Sequence, residues 1–237
     1  WCRHYWLRIG RVMLGLAFSG GKDSLACWYL FKDQNPIVLW VNTGKCYPET
    51  LEIIEEIRKQ SNFVEIKTNQ NDHIEKHGFP SDVVPINWTT LGMAITGLKP
   101  VKVQSYLDCC FQNISKPLLD GAKEHGVTQL IRGQRIDEDY KSLARNGTVV
   151  EGIEFIQPIE NWSKNEVLAY LSEKRGILPA HYTIEHSSLD CYDCTAFAKK
   201  SKDRVKYTEK YHPEFYLAYK KNMDALKYAL DLESIDA

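Results

Sequence analysis

The segment LGLAFSGGKDS, residues 14–24, constrains this chain more than any other. Its apolar start reads as a buried strand over residues 11–18, Gly20-Gly21 as a tight reversal, and Leu25, Trp28, Tyr29 and Phe31 as a short helix. A glycine turn between strand and helix lets successive backbone N–H groups point at one anion, and the helix N-terminus adds partial positive charge. Lys22 supplies the compensating cation. The segment is therefore read as a phosphate cradle, and the protein is expected to handle a nucleotide. It is not a Walker A loop, because G-x-x-x-x-G-K-[ST] needs glycine where Leu16 stands and Ser or Thr where Asp23 stands. A bare Gly-Gly pair would suit a purely structural turn. The whole run from Ser19 to Ser24, set between strand and helix, favours the nucleotide.

Residues 37–41 read as a second buried strand closed by Asn42-Thr43-Gly44, and Pro48 opens a helix to about Gln60 with Leu51, Ile54 and Ile57 on one face. Residues 63–67 read as a third strand. Residues 68–107, with Pro80, Pro85 and Pro100, read as loop and short helix over the sheet edge. A helix over 116–124 leads through Gly126 to a strand at 129–132, and residues 148–158 return as extended structure. Ser163-Lys-Asn-Glu166 is a capping box for a helix that stops at Gly176, and residues 200–231 read as one or two amphipathic helices. Strands alternating with helices imply parallel βαβ units. The expected fold class is α/β, a mostly parallel Rossmann-like sheet flanked by helices, with a helical C-terminal segment. We expect a nucleotide-binding domain over 1–198 that carries the cysteines, and a helical extension over 199–237 packed on it.

Thirty Lys and Arg against 31 Asp and Glu give a net charge of −1, so no overall positive field announces a nucleic acid. The sequence has no run of about eighteen apolar residues, and its basic start lacks the apolar centre of a secretory signal. A soluble, cytoplasmic protein without a membrane partner is expected. Seven cysteines, an odd number in a chain long enough to need no disulfides, fit a reduced compartment and metal binding.

Adjacent Cys109 and Cys110 are answered far along the chain by Cys191-Tyr-Asp-Cys194. Thiolates suit zinc or iron–sulfur clusters, and four of them from two distant places would pin a metal at a fold junction. For C-x-x-C alone, a redox dithiol and a zinc half-site compete. Neighbouring side chains diverge, so Cys109-Cys110 is poorly explained by packing. Cys27 and Cys46 read as packing residues, and His73, His77 and His125 carry no signal. Arg132 and Arg135 stand at a strand end, placed to clamp phosphate or sulfate oxygens, with a solvated arginine as the alternative for each.

SGGKDS resembles the PP-loop of the N-type ATP pyrophosphatases and adenine-nucleotide α-hydrolases, which cut ATP between its α and β phosphates. The resemblance implies that Ser19, Gly20, Gly21, Lys22, Asp23 and Ser24 hold the pyrophosphate end of ATP. Lys22 would stabilise the transferring phosphoryl group and Asp23 would help hold Mg2+. The CC and CxxC pairs are similar to the [4Fe-4S] signature of assimilatory adenosine phosphosulfate reductases. NTGKCYPET (42–50) is similar to their adenosine-bordering segment, which implies nucleotide contacts from Asn42, Thr43 and Gly44. CCFQNISKPL (109–118) resembles their CC…K…PL segment, with Lys116 set to neutralise an anionic cluster. Gly133-Gln134-Arg135 followed by Asp137 resembles their GQR loop, which adds Arg135 to Lys22 and Asp23 as catalytic candidates. His181 with Cys191-x-x-Cys194-Thr195 resembles their H…C-x-x-C-T segment. By this resemblance Cys109, Cys110, Cys191 and Cys194 hold a [4Fe-4S] cluster, with tetrahedral zinc as the alternative.

Two features depart from the reductases. Their nucleophilic cysteine lies in a C-terminal segment like E-C-G-[LI]-H, whereas no cysteine follows Cys194 in this sequence. They also usually lack the Lys and Ser of SGGKDS. The mixture resembles the ATP pyrophosphatase components of sulfur-insertion systems, such as DNA phosphorothioation and tRNA thiolation. The expected function is an adenylating, iron–sulfur enzyme of sulfur transfer that uses ATP with Mg2+. Its expected partners are a sulfur donor such as a cysteine desulfurase and a nucleic-acid acceptor reached through other subunits, in a homo-oligomer or a larger complex. The alternatives are an adenosine phosphosulfate or phosphoadenosine phosphosulfate reductase whose catalytic cysteine segment is absent from this sequence, and a non-catalytic nucleotide-binding scaffold.

Overall fold

Strand β1 (Leu14–Ala17) is short and apolar, with Leu16 buried completely, and such a strand is stable where protein covers both faces of the sheet. In the computed structural model, which describes residues 12–97, 102–138, 144–184, 189, 191–196 and 202–230, it is central in a six-stranded sheet. The chain continues through α1 (Lys22–Phe31), β2 (Ile37–Asn42), α2 (Pro48–Arg58), β3 (Asn62–Lys67), α3 (Gln70–His77), β4 (Phe79–Ser81), α4 (Thr90–Thr96), β5 (Val103–Ser105) and α5 (Tyr106–Cys110). It then forms α6 (Lys116–Glu124), β6 (Gln129–Ile131), β7 (Val149–Val150), β8 (Ile153–Ile156), α7 (Lys164–Arg175), α8 (His181–Ile184), α9 (Lys202–Tyr211) and α10 (Pro213–Leu230).

The sheet order is β3-β2-β1-β6-β8-β7. All neighbours are parallel except β7 and β8, which form a hairpin turned by Glu151 and Gly152 at positive φ. Strand order runs outward from β1 in both directions, so the crevice where a doubly wound sheet binds its ligand opens between the ends of β1 and β6. One face of the sheet packs Leu16, Val38 and Trp40 against Leu25 and Trp28 of α1, Ile54 and Ile57 of α2, and Val167 and Leu171 of α7. The other packs Leu39, Leu130, Ile153 and Phe155 with Ala122 of α6. This is the Rossmann-like α/β architecture that the alternation of strands and helices implies. The capping box forms as read, Ser163 Oγ accepting from Glu166 N–H and Glu166 accepting from Ser163 N–H.

Several details differ from the sequence reading. The stripe of α2 that faces the core is Thr50, Ile53, Ile54 and Ile57, at i, i+3, i+4 and i+7, and Leu51 is exposed. Residues 68–107 are not merely loop and short helix. They contain a second sheet, in which β4 and β5 pair in parallel. Strands of three residues are too short to declare a period, and Pro80 argues against one. Gly78 permits this pairing: it has φ +93°, and a Cβ there would lie 2.0 Å from the Lys102 carbonyl carbon. The helix read over 116–124 is preceded by α5, joined to it by a wide π-turn over Phe111–Ser115. Arg11, the first residue of the expected first strand, and the expected boundary at 198/199 lie outside the described residues. Among the described residues, no helix is long and apolar enough to cross a membrane.

Candidate functional site

The loop read as a phosphate cradle follows β1 into the crevice. Gly20 takes φ +80°, and a Cβ there would stand 2.8 Å from Thr50 Cγ2 on α2, so both the turn and the close approach demand glycine. Gly21 caps α1 without any side-chain cap, leaving the N-terminal N–H groups and the positive end of the helix directed at the loop. Ser24 Oγ donates to the Gly21 carbonyl at 3.0 Å and accepts from Ser19 N–H at 3.2 Å. Ser19 Oγ accepts from Gly21 N–H at 3.3 Å. The Tyr182 hydroxyl of α8 donates to the Gly20 carbonyl at 3.3 Å, bracing the loop from a distant part of the chain.

Lys22 Nζ lies 2.8 Å from Asp23 Oδ2, and Arg135 Nε donates to Asp23 Oδ1 at 2.8 Å. Arg135 is buried and also bonds Asp137, with Glu138 3.9 Å away. The sequence reading gave Arg135 a clamp on phosphate oxygens. In the structure carboxylates fill its fork, and it positions Asp23, which in turn orients Lys22. Both Asp23 oxygens face cations, so holding Mg2+ there would require one of them to change partner. Burial and the charge of Asp23 hold the Glu138 carboxyl above the usual carboxylate range, against the pull of Arg135 and Lys22. The Arg132 guanidinium lies over the Phe155 ring at 5.7 Å, and burial lowers its pKa. Gln134 bonds Glu138. Gly133 passes so close to the phosphate loop that a Cβ would meet the Asp23 carbonyl carbon at 2.6 Å and Ser24 N at 2.8 Å.

Beside this loop, Asn42 donates to Glu65 at 2.8 Å and accepts from Gly44 N–H at 2.9 Å, an Asx turn that lets Gly44 adopt φ +76°. The next residues reach the thiols. Thr43 Oγ1 lies 3.8 Å from Cys191 Sγ, and the Lys45 carbonyl accepts from Tyr192 N–H at 3.2 Å. Lys45 Nζ pairs with Asp193 Oδ2 at 2.5 Å, and both residues are buried. From α9, buried Arg204 donates to the carbonyls of Cys191 at 3.1 Å and Cys194 at 3.3 Å. Asn222 of α10 donates to the carboxylate of Asp193 at 3.2 Å. Thr195 Oγ1 donates to the Pro80 carbonyl at 2.6 Å, tying this loop to the second sheet.

Cys109 stands at the facing end of α5, buried, with Gln70 Nε2 at 3.7 Å and Asn113 Nδ2 at 3.8 Å from its sulfur. Its thiol is pushed up to about 11, chiefly by burial and further by the nearby Cys194 and Asp193, against the two amide donors. The fold therefore brings the CC pair to the CxxC loop. Among the described residues, no three Cys, His, Asp or Glu side chains stand together in ligating geometry. Lys116, expected to neutralise a cluster, pairs instead with Asp120 one helical turn away at 2.5 Å on the exposed side of α6. Cys27 is buried in the core and Cys46 packs against it, as packing residues do.

The phosphoadenosine phosphosulfate reductase domain model matches residues 13–197. The chain belongs to this family. No curated protein sequence matches it. Among solved structures, it is similar to the phosphoadenylyl-sulfate (PAPS) reductase of Candida auris in a phosphate complex, at 19% identity over 75% of this chain and 80% of that one, with a TM-score of 0.48. It is also similar to the U34-tRNA thiolase NcsA of Methanococcus maripaludis with its [4Fe-4S] cluster, at 19% identity over 92% of this chain and 72% of that one, with a TM-score of 0.49. In this reductase-domain chain, the sequence reading missed Lys45, Gln70, Asn113 and Arg204. Asn113 follows Cys109 by four residues on a helical path, a spacing that marked it as a neighbour. The others meet the thiol loops only through the tertiary fold.

Proposed function

We propose that the chain is an α,β-cleaving ATP pyrophosphatase that adenylates an acceptor oxygen in a sulfur-transfer reaction. The observation that carries this reading is the uncapped N-terminus of α1 behind a left-handed Gly20, with Lys22 oriented through Asp23 and Arg135 at the crevice of the sheet. The acceptor oxygen attacks the α-phosphorus of ATP, bound as its Mg2+ complex, and the bond from that phosphorus to the bridging oxygen breaks. Negative charge grows on the departing pyrophosphate, where Lys22 and the α1 N–H groups can meet it without reorganising. In this reading Asn42, Thr43, Gly44 and Gln134 are assigned to the nucleotide.

Cys109, Cys110, Cys191 and Cys194 are the residues that would hold a [4Fe-4S] cluster. The thiolate donor set and the amide donors onto Cys109 suit that group. Bound there, the cluster would supply a site for sulfur. Full-length protein purified without oxygen is expected to be brown, with absorbance near ~400 nm from thiolate-to-iron charge transfer. A colourless, zinc-loaded protein would refute the cluster.

The test of the reading is pyrophosphate release from ATP under anaerobic conditions, with a sulfide or persulfide source and candidate polynucleotides as acceptors. Pyrophosphate and a thiolated product are expected. No pyrophosphate with any acceptor, together with tight binding of adenosine phosphosulfate, would sink it. Gly133→Ala adds a positional test, because its Cβ would press on the phosphate-loop backbone, which has no flexible side chain to yield. Pyrophosphate release is expected to fall about 10²-fold with the circular dichroism spectrum unchanged, the scale of loss for a displacement of about 1 Å at a reacting centre.

A further inference from the structure

Gly20-Gly21 is the single Gly-Gly step in the sequence, and it forms the turn of the loop read as a phosphate cradle. A peptide unit flanked by two glycines is sterically free to turn over. The rotation moves ψ of the first residue and φ of the second, and only glycine readily accepts the positive φ that results. Gly21 stands at φ −76°, so the turned-over unit would carry it into that region. The C=O and N–H of a planar trans peptide point in opposite directions, so the two orientations offer an anion opposite partners. One presents the Gly21 N–H, the other the Gly20 carbonyl.

In the structure both ends of this unit are held. The Gly21 N–H donates to Ser19 Oγ at 3.3 Å, and Ser19 is exposed, so the N–H is turned toward the open side of the loop. The Gly20 carbonyl accepts from the Tyr182 hydroxyl at 3.3 Å on the other side, where Gly20 is buried. Ser19 belongs to the turn and moves with it, whereas Tyr182 reaches in from α8, 162 residues away in sequence. Its ring is anchored independently, packed on the core beneath α1, α2 and α7 and set edge-on to the His181 ring at 4.2 Å. Burial and the charge of Asp23 push the phenol pKa up, so the hydroxyl keeps the proton that it donates. We propose that Tyr182 is a positioning residue, a latch that fixes the Gly20-Gly21 peptide with its N–H toward the bound anion. Without the latch both orientations are populated, and the affinity of the loop for phosphate falls in proportion to the fraction that still presents its N–H. The inference rests on the loop being a phosphate cradle and not on the sulfur-transfer chemistry.

The experiment is calorimetric titration of the full chain with inorganic pyrophosphate, without acceptor or sulfur source. Tyr182→Phe keeps the ring and removes only the hydroxyl. It is expected to raise the pyrophosphate Kd about fivefold, within the range of one neutral hydrogen bond. Gly21→Ala supplies the second arm. Alanine suits φ −76°, and its Cβ would meet Ser19 Oγ at 3.4 Å, an ordinary contact, but it resists the positive φ of the turned-over unit. In that background the hydroxyl should no longer matter, so Gly21→Ala and Gly21→Ala/Tyr182→Phe are expected to bind pyrophosphate equally. Labelling glycine with 15N and carbonyl 13C gives one correlation between an amide and its preceding carbonyl, because only this step has glycine on both sides. That signal is expected to be single and sharp in the parent. In Tyr182→Phe it should be doubled or broadened, and become single when pyrophosphate saturates the protein. A Tyr182→Phe chain that binds like the parent, or whose signal stays single and sharp, overturns the latch. So does an equal loss in both backgrounds, which is what a packing defect gives. A parent that binds no pyrophosphate overturns the cradle and the latch with it, and one that binds pyrophosphate but never cleaves ATP overturns the adenylation alone.

Discussion

Lys22→Ala is expected to lower pyrophosphate release by about 10² to 10³-fold, the loss that follows removal of one preorganised group from a site of developing charge. The loss should fall on kcat more than on KM. Ground-state ATP retains the α1 N–H groups and the serine-tied turn, whereas charge on the leaving pyrophosphate rises only at the transition state. Asp23→Asn should give a smaller loss in the same parameter, because the asparagine still accepts from Arg135 but no longer holds the Lys22 ammonium electrostatically. Initial rates at saturating ATP, measured anaerobically with a coupled pyrophosphate assay, check both. A Lys22→Ala enzyme within about threefold of the parent would mean that this turn does not stabilise a phosphoryl group, and the scaffold reading would then be preferred.

What could be read from the sequence follows from how local each feature is. The strand, glycine turn and helix of residues 14–31 lie within one stretch, and their periods and turn residues are explicit. The Ser163–Glu166 capping box and the stop at Gly176 are local in the same way. The face of α2 was misjudged because Ile53 and Leu51 are equally apolar, and only the sheet decides which of them turns inward. The small sheet of β4 and β5 depends on one glycine and a crossover, neither of which leaves a periodic trace. The four cysteines were legible as a spacing, but their surroundings were not. Gln70 meets the Cys109 sulfur, Lys45 the Asp193 carboxylate and Arg204 the Cys191 carbonyl across separations that a single sequence does not encode as a pattern. Arg135 shows the converse. Its motif was plain, yet its role changed because the carboxylates of Asp23, Asp137 and Glu138 occupy its donors.

Lys45→Met is expected to cost about 3 to 5 kcal/mol of folding stability, the usual result of stripping one partner from a buried ion pair. The Asp193 carboxylate would remain buried at 5% exposure, its charge answered among the described residues by the Asn222 amide at 3.2 Å. Lys45 also lies over the Tyr192 ring at 5.2 Å, a contact that methionine retains only in part. Against a total stability of roughly 5–15 kcal/mol for a domain, this is a large share. Urea unfolding midpoints at constant m-value measure it. The double variant Lys45→Met/Asp193→Leu should recover more than half of the loss, since replacing both buried charges by apolar side chains removes the unpaired carboxylate along with its partner. A single variant within about 1 kcal/mol of the parent would mean that water reaches Asp193. Because the same four-residue stretch carries Asn42, proposed above to meet the nucleotide, and meets Cys191, Tyr192 and Asp193 through Thr43 and Lys45, loss of this pair should loosen the proposed phosphate crevice and the thiol loop together. Nucleotide affinity and thiol accessibility to a small alkylating reagent are therefore expected to change in parallel in Lys45→Met, and to return in parallel in the double variant.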